Sequence, residues 1–154
     1  PIFHQNDLII LMKDNIKLLK ELDKTIKIDF FNNSNEIFFN SDQEQLSRVF
    51  FNLIKNSIES IHQKSEKVNN FNKNITIELN DVGSHIMLAI NDNGVGFKNL
   101  NKNVKEILNP YFTTKKNGTG LGLSIVNKII NDHNGNIEFI SKNDGAIIKI
   151  IFTK

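Results

Sequence analysis

The sequence contains no cysteine and no tryptophan, and only two of its 154 residues are proline. Without cysteine the chain forms no disulfide and offers no thiolate to a metal, and its four histidines lack the spacing of a zinc site. No apolar run approaches the roughly 18 residues of a membrane span. The first residues lack the basic and apolar regions of a signal peptide. We therefore expect no structural zinc site and no direct membrane contact by this chain.

The excess of one sign of charge over the other is also small. Nineteen basic and 17 acidic residues leave a net charge of +2, which is too little to predict nucleic acid or an anionic membrane as a partner. The hydrophobic fraction of 39% is that of an ordinary globular protein. A length of 154 residues predicts one domain, residues 1–154, with a real hydrophobic core.

Apolar residues at spacings of three and four predict three helices. The first runs from Asp7 to Leu22, with Asn6 or Asp7 as its cap. The second begins at a capping-box pattern, Ser41 to Glu44, and continues to Ile61, followed by a loop from His62 to Asn74. The third covers Leu121 to Asp132 and is expected to end near Gly135.

Short β-rich runs predict the strands. Thr25–Phe31 and Glu36–Asn40 flank the polar turn NNSN and are predicted to form a hairpin. ITIELN and HIMLAIND are two further strands, and NIEFIS and AIIKIIF form a last hairpin across Asn143-Asp144-Gly145. The order of elements predicts a two-layer α/β sandwich, with a mixed, mostly antiparallel sheet and the helices on one face.

Asn52 and Asn56 lie four residues apart on the second helix and therefore project from one face of it. The amide oxygen of Asn56 is a candidate Mg²⁺ ligand, because Mg²⁺ takes most of its other oxygens from phosphates and water. The alternative is that both amides simply face solvent.

The segment Asn91-Asp92-Asn93-Gly94-Val95-Gly96 follows a strand directly. The carboxylate of Asp92 can accept a hydrogen bond from the exocyclic amine of adenine, whereas guanine presents an acceptor there. Gly94 and Gly96 suit a backbone that turns sharply or approaches a ligand closely. The alternative is an ordinary turn at the end of a strand.

A long irregular stretch, from about Phe97 to Gly118, is predicted to form a mobile lid over phosphates, with Phe112 as its anchor and Lys115 as a phosphate-binding cation. Glycines then lead into the third helix, whose backbone N–H groups are expected to bind phosphate oxygens. The spacing matches neither the P-loop nor the dinucleotide-binding fingerprint. The candidate nucleotide-binding residues of this part are Phe112, Thr114, Lys115, Gly118, Thr119, Gly120, Leu121 and Gly122.

In order and spacing, these four segments resemble the N, G1, F and G2 boxes of histidine-kinase catalytic domains, which belong to the GHKL (Bergerat-fold) superfamily. NLIKNSIES resembles the N box, DNGVG the G1 box, PYFTTK the F box and GTGLGLS the G2 box. The lid sequence is similar to the nitrogen-regulation, NtrB/NtrY-like type. The resemblance implies that ATP and Mg²⁺ are bound, with Asn56 on the metal, Asn52 near phosphate and Asp92 on adenine.

The resemblance also implies partners that this chain does not contain. These are a dimerisation domain that carries the phosphorylated histidine, and a response regulator. The parent protein is expected to be anchored at the cytoplasmic side of a bacterial inner membrane. None of the four histidines is followed by an acid and a proline, as a phosphoacceptor histidine would be, so we expect them to be structural or surface residues.

Two alternatives stay open. One is an ATPase of the same superfamily, although such enzymes carry a glutamate where this sequence has Asn52, and an amide cannot act as a general base. The other is a non-catalytic nucleotide-binding or anti-sigma-type module. Ser57, where alanine is common, and Asn109, where an acid is frequent, depart from the family pattern.

Overall fold

The computed structural model describes residues 1–96 and 121–154, apart from the side chain of Leu121. Within these ranges the chain forms three α-helices and seven β-strands. In chain order they are β1 His4–Asp7, α1 Leu8–Leu22, β2 Lys27–Asn32, β3 Phe38–Ser41, α2 Gln43–Ser65, β4 Asn74–Asp81, β5 His85–Asp92, α3 Leu121–Asp132, β6 Gly135–Lys142 and β7 Gly145–Thr153.

Five strands form the main sheet in the order β2-β4-β5-β7-β6. β2 runs parallel to β4, and the other neighbours are antiparallel. Alternate residues of the central strands are fully buried, which is the pattern of a sheet with one face against a core. α2 packs against α1, α3 and the sheet. The predicted fold class, a mixed and mostly antiparallel α/β sandwich, is confirmed.

The predicted hairpin of the second and third β-rich runs is wrong. β2 pairs with β4, and β3 pairs with β1 in a separate two-stranded sheet. The polar segment between them bends the chain, but the partner of β2 comes from beyond α2. A parallel pair needs such a crossover, and no local turn signal reports it. β1 was not predicted, because four residues with no apolar alternation give no strand pattern.

The ends of the helices follow local chemistry. Asp7 caps α1, as predicted, and accepts from the backbone N–H of Ile9. α2 is capped by Asp42 rather than Ser41, since Ser41 ends β3 and is buried there. The last turn of α2 extends to Ser65 and shortens the loop predicted from His62.

α3 ends as predicted at Asp132, but Asn134 and not Gly135 takes the left-handed conformation after it, with φ of 57°. Gly135 already belongs to β6. Asparagine tolerates this conformation better than most side chains do. No helix in the described ranges is long and apolar enough to cross a membrane.

Candidate functional site: the junction of helix α2 and strand β5

Asn52 and Asn56 lie at the margin of the buried face of α2. Both side chains are partly exposed, whereas Leu53, Ile54 and Ser57 between and beside them are buried. An amide at the edge of a core keeps some access to solvent and to a ligand. Both amides lie on the helix that packs against β5, the strand that carries Asp92.

Asp92 is the last residue of β5, and only 3% of it is exposed. The backbone N–H of Gly94 donates to its Oδ1 at 2.8 Å. Burial raises the pKa of the Asp92 carboxyl; the Gly94 N–H, the Ser57 hydroxyl and the charges of Lys142 and Lys64 act in the opposite direction. A carboxylate held in this way offers hydrogen-bond acceptors in a site from which water is largely excluded.

The turn after Asp92 is packed directly against α2. The backbone N–H of Val95 donates to the Ser60 hydroxyl at 3.0 Å and lies 3.3 Å from the Ser60 carbonyl oxygen. A Cβ on Gly94 would lie 2.6 Å from the Ser60 carbonyl carbon, so the close approach requires glycine. These contacts join the asparagine-bearing helix to the strand end and bring the predicted N-box and G1-box residues together.

Gly96 is glycine for a different reason. Its φ is +69°, and a Cβ there would lie 2.4 Å from the carbonyl oxygen of Gly145 in β7. Side chains avoid both the dihedral angle and the contact. The two predicted G1-box glycines thus shape the backbone of this turn.

Sequence reasoning assigned no role at the candidate site to several polar residues that surround it. Ser57 and Ser60 face the turn from α2. Asn93 accepts from the N–H of Asn74 and donates to the carbonyl of Asn72, which holds the loop before β4 against the end of β5. The Lys142 ammonium donates to the Asn91 side chain. Of these residues, only the two serines could have been found from the sequence, because their spacing of three places them on one face of the helix.

The start of α3 is described only in part. Phe112, Thr114, Lys115, Gly118, Thr119 and Gly120 lie outside the described residues, as does the predicted lid as a whole. Leu121 begins α3. Gly122 follows it, is exposed, and has no described atom within 4 Å of where a Cβ would stand. Any requirement for glycine there would therefore have to come from a ligand or from undescribed residues.

A magnesium ion at this pocket would rely on few protein ligands. No group of three or more His, Cys, Asp or Glu side chains within residues 1–96 and 121–154 is arranged to hold a metal. Mg²⁺ keeps several waters and takes phosphate oxygens, so one amide oxygen suits it. The donor set on α2 therefore fits a phosphate-bound magnesium and does not fit a metal held by protein alone.

The histidines have structural contacts or lie at the surface. His133 is buried, and His62 contacts Asp23 at 2.5 Å. His85 contacts Ser84 near the surface, and His4 is exposed.

Comparison with known proteins agrees with this geometry. A family model for histidine kinase-, DNA gyrase B- and HSP90-like ATPases matches residues 41–154. An NtrY-like sensor histidine kinase of Rickettsia conorii is 32% identical over 154 residues, which cover 99% of this chain and 24% of that protein. The chain thus spans about a quarter of this curated relative.

Solved structures give the same result. The nucleotide-free catalytic domain of histidine kinase ThkA superposes with a TM-score of 0.82 at 28% identity, covering 99% of this chain and 95% of that one. ThkA in complex with the response regulator protein TrrA superposes with a TM-score of 0.76 at 26% identity, covering 99% of this chain and 42% of that one. The chain therefore belongs to the family of histidine kinase-, DNA gyrase B- and HSP90-like ATPases, as an ATP-binding catalytic domain of the histidine-kinase type.

Proposed function

We propose that this domain positions Mg-ATP for transfer of its γ-phosphoryl group to a histidine on a separate dimerisation domain of the parent protein, from which the group passes to a response regulator. The observation that carries the proposal is the buried Asp92 carboxylate, held by Gly94 at the end of β5 and joined through Val95 and Ser60 to the helix that bears Asn52 and Asn56. One end of this pocket suits a purine amine, and the other suits phosphate and its metal.

The base end is proposed to select adenine through Asp92. An ionised carboxylate only accepts hydrogen bonds, so it pairs with the exocyclic amine of adenine and repels the corresponding oxygen of guanine. Because Asp92 is almost fully buried, a base that offers no donor there would leave one acceptor position of the carboxylate desolvated and unpaired. The preference for ATP should therefore rest mainly on this residue.

At the phosphate end, Asn56 is proposed to supply an amide oxygen to Mg²⁺, and Asn52 to contact phosphate. When bound, Mg²⁺ would neutralise phosphate charge and hold the oxygens in place. The remaining contribution of the protein is positioning, which supplies much of the catalysis in phosphoryl transfer. Lys115 and Thr119, which lie outside the described residues, are predicted to contact phosphate at the same end of the pocket.

The alternative of an ATPase is disfavoured by Asn52, since its amide cannot take a proton from water. Glu59 lies on the same helix, but seven residues further along the chain, about two turns from Asn52. A non-catalytic nucleotide-binding module remains the second candidate. It would bind ATP through the same pocket, and only transfer to an acceptor distinguishes it from a kinase.

The proposed partners are the dimerisation domain of the parent and a response regulator receiver domain. Support comes from ThkA, whose structure includes a response regulator protein. That the parent protein is anchored in a bacterial inner membrane stays a prediction from the resemblance to sensor kinases.

The test incubates this chain with γ-labelled ATP, once alone and once with the upstream helical domain of its parent. We expect no self-labelling and little phosphate release from the chain alone. The added domain should become labelled, and the label should be lost in acid, as is expected of a phosphohistidine. Robust phosphate release by the chain alone, abolished in Asn56→Ala, would instead establish an ATPase. Binding of ATP without any labelling of the added domain would favour the non-catalytic module.

A further inference from the structure

Ser57 is a buried polar residue with no assigned role. It follows Asn56 on α2, and only 2% of it is exposed. Its Oγ makes no hydrogen bond of standard geometry to any group in the described parts of the chain. A hydroxyl left without a partner in a core costs about 1–3 kcal/mol. Such a residue needs an explanation, particularly at a position where the resemblance leads us to expect alanine.

Ser57 lies one turn before Ser60 on the same face of α2, and the Ser60 hydroxyl accepts from the backbone N–H of Val95, three residues after Asp92. The Ser57 hydroxyl is therefore directed toward the end of β5, where the buried Asp92 carboxyl lies. No hydrogen bond of standard geometry joins the two groups, but the Ser57 hydroxyl favours the ionised form of Asp92 and so lowers the pKa of Asp92 against the effect of burial. One carboxylate oxygen, Oδ1, already accepts from Gly94. A carboxylate has about four acceptor positions, so the Gly94 contact leaves room for both a hydroxyl and a purine amine.

We propose that Ser57 is a positioning residue for base recognition: its hydroxyl donates to Asp92 when adenine is bound, and so fixes the carboxylate in the orientation that accepts from the exocyclic amine. This inference rests on the proposed function of Asp92. Hydrogen bonds that are long in a ligand-free site commonly tighten when the ligand is bound. The Ser57 hydroxyl is then unpaired in the ligand-free protein, and its hydrogen bond to Asp92 forms when the ligand binds.

A purely structural role for Ser57 makes different predictions. If the side chain only fills space, removal of the hydroxyl should leave both the ionisation of Asp92 and the binding of ATP unchanged. If it donates to the carboxylate, its loss should favour the neutral acid and shift the ionisation of Asp92 to higher pH. The other charges near this carboxyl, Lys64 on α2 and Lys142 on β6, are the same in both cases.

The experiment compares Ser57→Ala with the unaltered chain and with Ser65→Ala. Ser65 is a matched control, because it lies on the same helix and its hydroxyl donates to the His62 carbonyl instead of to Asp92. Carboxyl ¹³C NMR of the free protein follows the ionisation of Asp92, assigned with Asp92→Asn. Calorimetric titration with Mg-ATP between about pH 5.5 and 8 gives the affinity, and the ratio to the unaltered chain cancels the ionisation of ATP itself.

We expect Ser57→Ala to raise the pH midpoint of Asp92 and to weaken ATP binding about 3- to 10-fold, the worth of one hydrogen bond. The loss should grow as the pH falls, and Ser65→Ala should show neither effect. An unchanged midpoint, or a shifted midpoint with unchanged affinity, would overturn the role of Ser57 while Asp92→Asn still weakens binding. If the unaltered chain bound no ATP, or Asp92→Asn had no effect, the function proposed for Asp92 would itself fail.

Discussion

The backbone N–H of Asp42 donates to Nε2 of His133 at 3.0 Å and thereby joins the start of α2 to the end of α3. The other ring nitrogen, Nδ1, lies 2.8 Å from the carbonyl oxygen of Ile129, so the contacts assign the proton to Nδ1. The ring of Phe3 stacks on the imidazole at 4.7 Å. One buried histidine thus connects α2, α3 and the first residues of the chain.

His133→Ala should therefore destabilise the fold. It leaves the Asp42 N–H without its acceptor, at a cost of about 1–3 kcal/mol in the free energy of unfolding. Urea unfolding followed by circular dichroism measures this difference. His85→Ala is the control, since that side chain contacts Ser84 near the surface and its loss should change stability by less than about 0.5 kcal/mol. Equal effects of the two substitutions would contradict the structural role of His133.

Gly94→Ala should lower the stability of the domain and also weaken ATP binding. The added methyl group would overlap the Ser60 backbone, and overpacking of this kind costs about 1–3 kcal/mol. Gly122→Ala is the contrast, because no described atom crowds that site and alanine favours a helix by about 0.5–1 kcal/mol. Thermal unfolding with and without ATP separates stability from binding. If Gly122→Ala leaves the apo fold intact but weakens ATP binding, the glycine serves the ligand.

Asn56→Ala should remove the part of ATP affinity that depends on Mg²⁺. The loss of a residue that merely supports a metal ligand costs about 10-fold or more in metal affinity, so the loss of the ligand should cost at least about 10-fold. Calorimetry with ATP in Mg²⁺ and in EDTA measures both affinities. Lys55→Ala, at the exposed neighbouring position, is the control. An unchanged Mg²⁺ dependence in Asn56→Ala would exclude Asn56 from the metal site.

Asp92→Asn should lower ATP affinity by roughly 1.5–3 kcal/mol, the value of a hydrogen bond to a charged group. An amide must turn its oxygen toward adenine or its nitrogen toward guanine, so the preference for ATP over GTP should shrink as well. Competition of both nucleotides for the same site measures this ratio. If Asp92→Asn kept the same preference for ATP over GTP as the unaltered chain, a group other than Asp92 would have to distinguish adenine from guanine.

The lowered pKa of Asp23 predicts that the stability of the domain depends on pH. Partial burial opposes its ionisation, but hydrogen bonds from Thr25 and His62 outweigh burial and lower the pKa of Asp23 to about 2. Because this pKa lies below the unfolded value of about 3.9, the stabilisation is complete above that value and is lost as the pH falls toward 2. The stability difference between the unaltered chain and Asp23→Asn should therefore shrink from about pH 5 to about pH 3. A difference that did not vary over this range would contradict the assignment.

Local sequence chemistry was sufficient for the helices and for two antiparallel strand pairs of the sheet, β4 with β5 and β6 with β7. The apolar period of α2 determines the helix, although Asp42 caps it and not Ser41, the first residue of the predicted capping box. β6 and β7 are joined by two residues, so their pairing needs no distant information. Asp92 was also predictable as a candidate, because an acid between a strand and two glycines suggests a specific contact.

What required the tertiary structure is what depends on residues far apart in the chain. β2 pairs with β4 and not with β3, since strand partners are chosen by packing across the whole sheet. The role of Ser60 emerges only when Gly94 and Val95 are brought against α2 from 35 residues away. Likewise, nothing in the sequence around Ser57 shows that its hydroxyl is buried beside Asp92. The sequence determined which groups the pocket has, and the fold decided which of them meet, because hydrogen bonding and desolvation act on distances that only the folded chain defines.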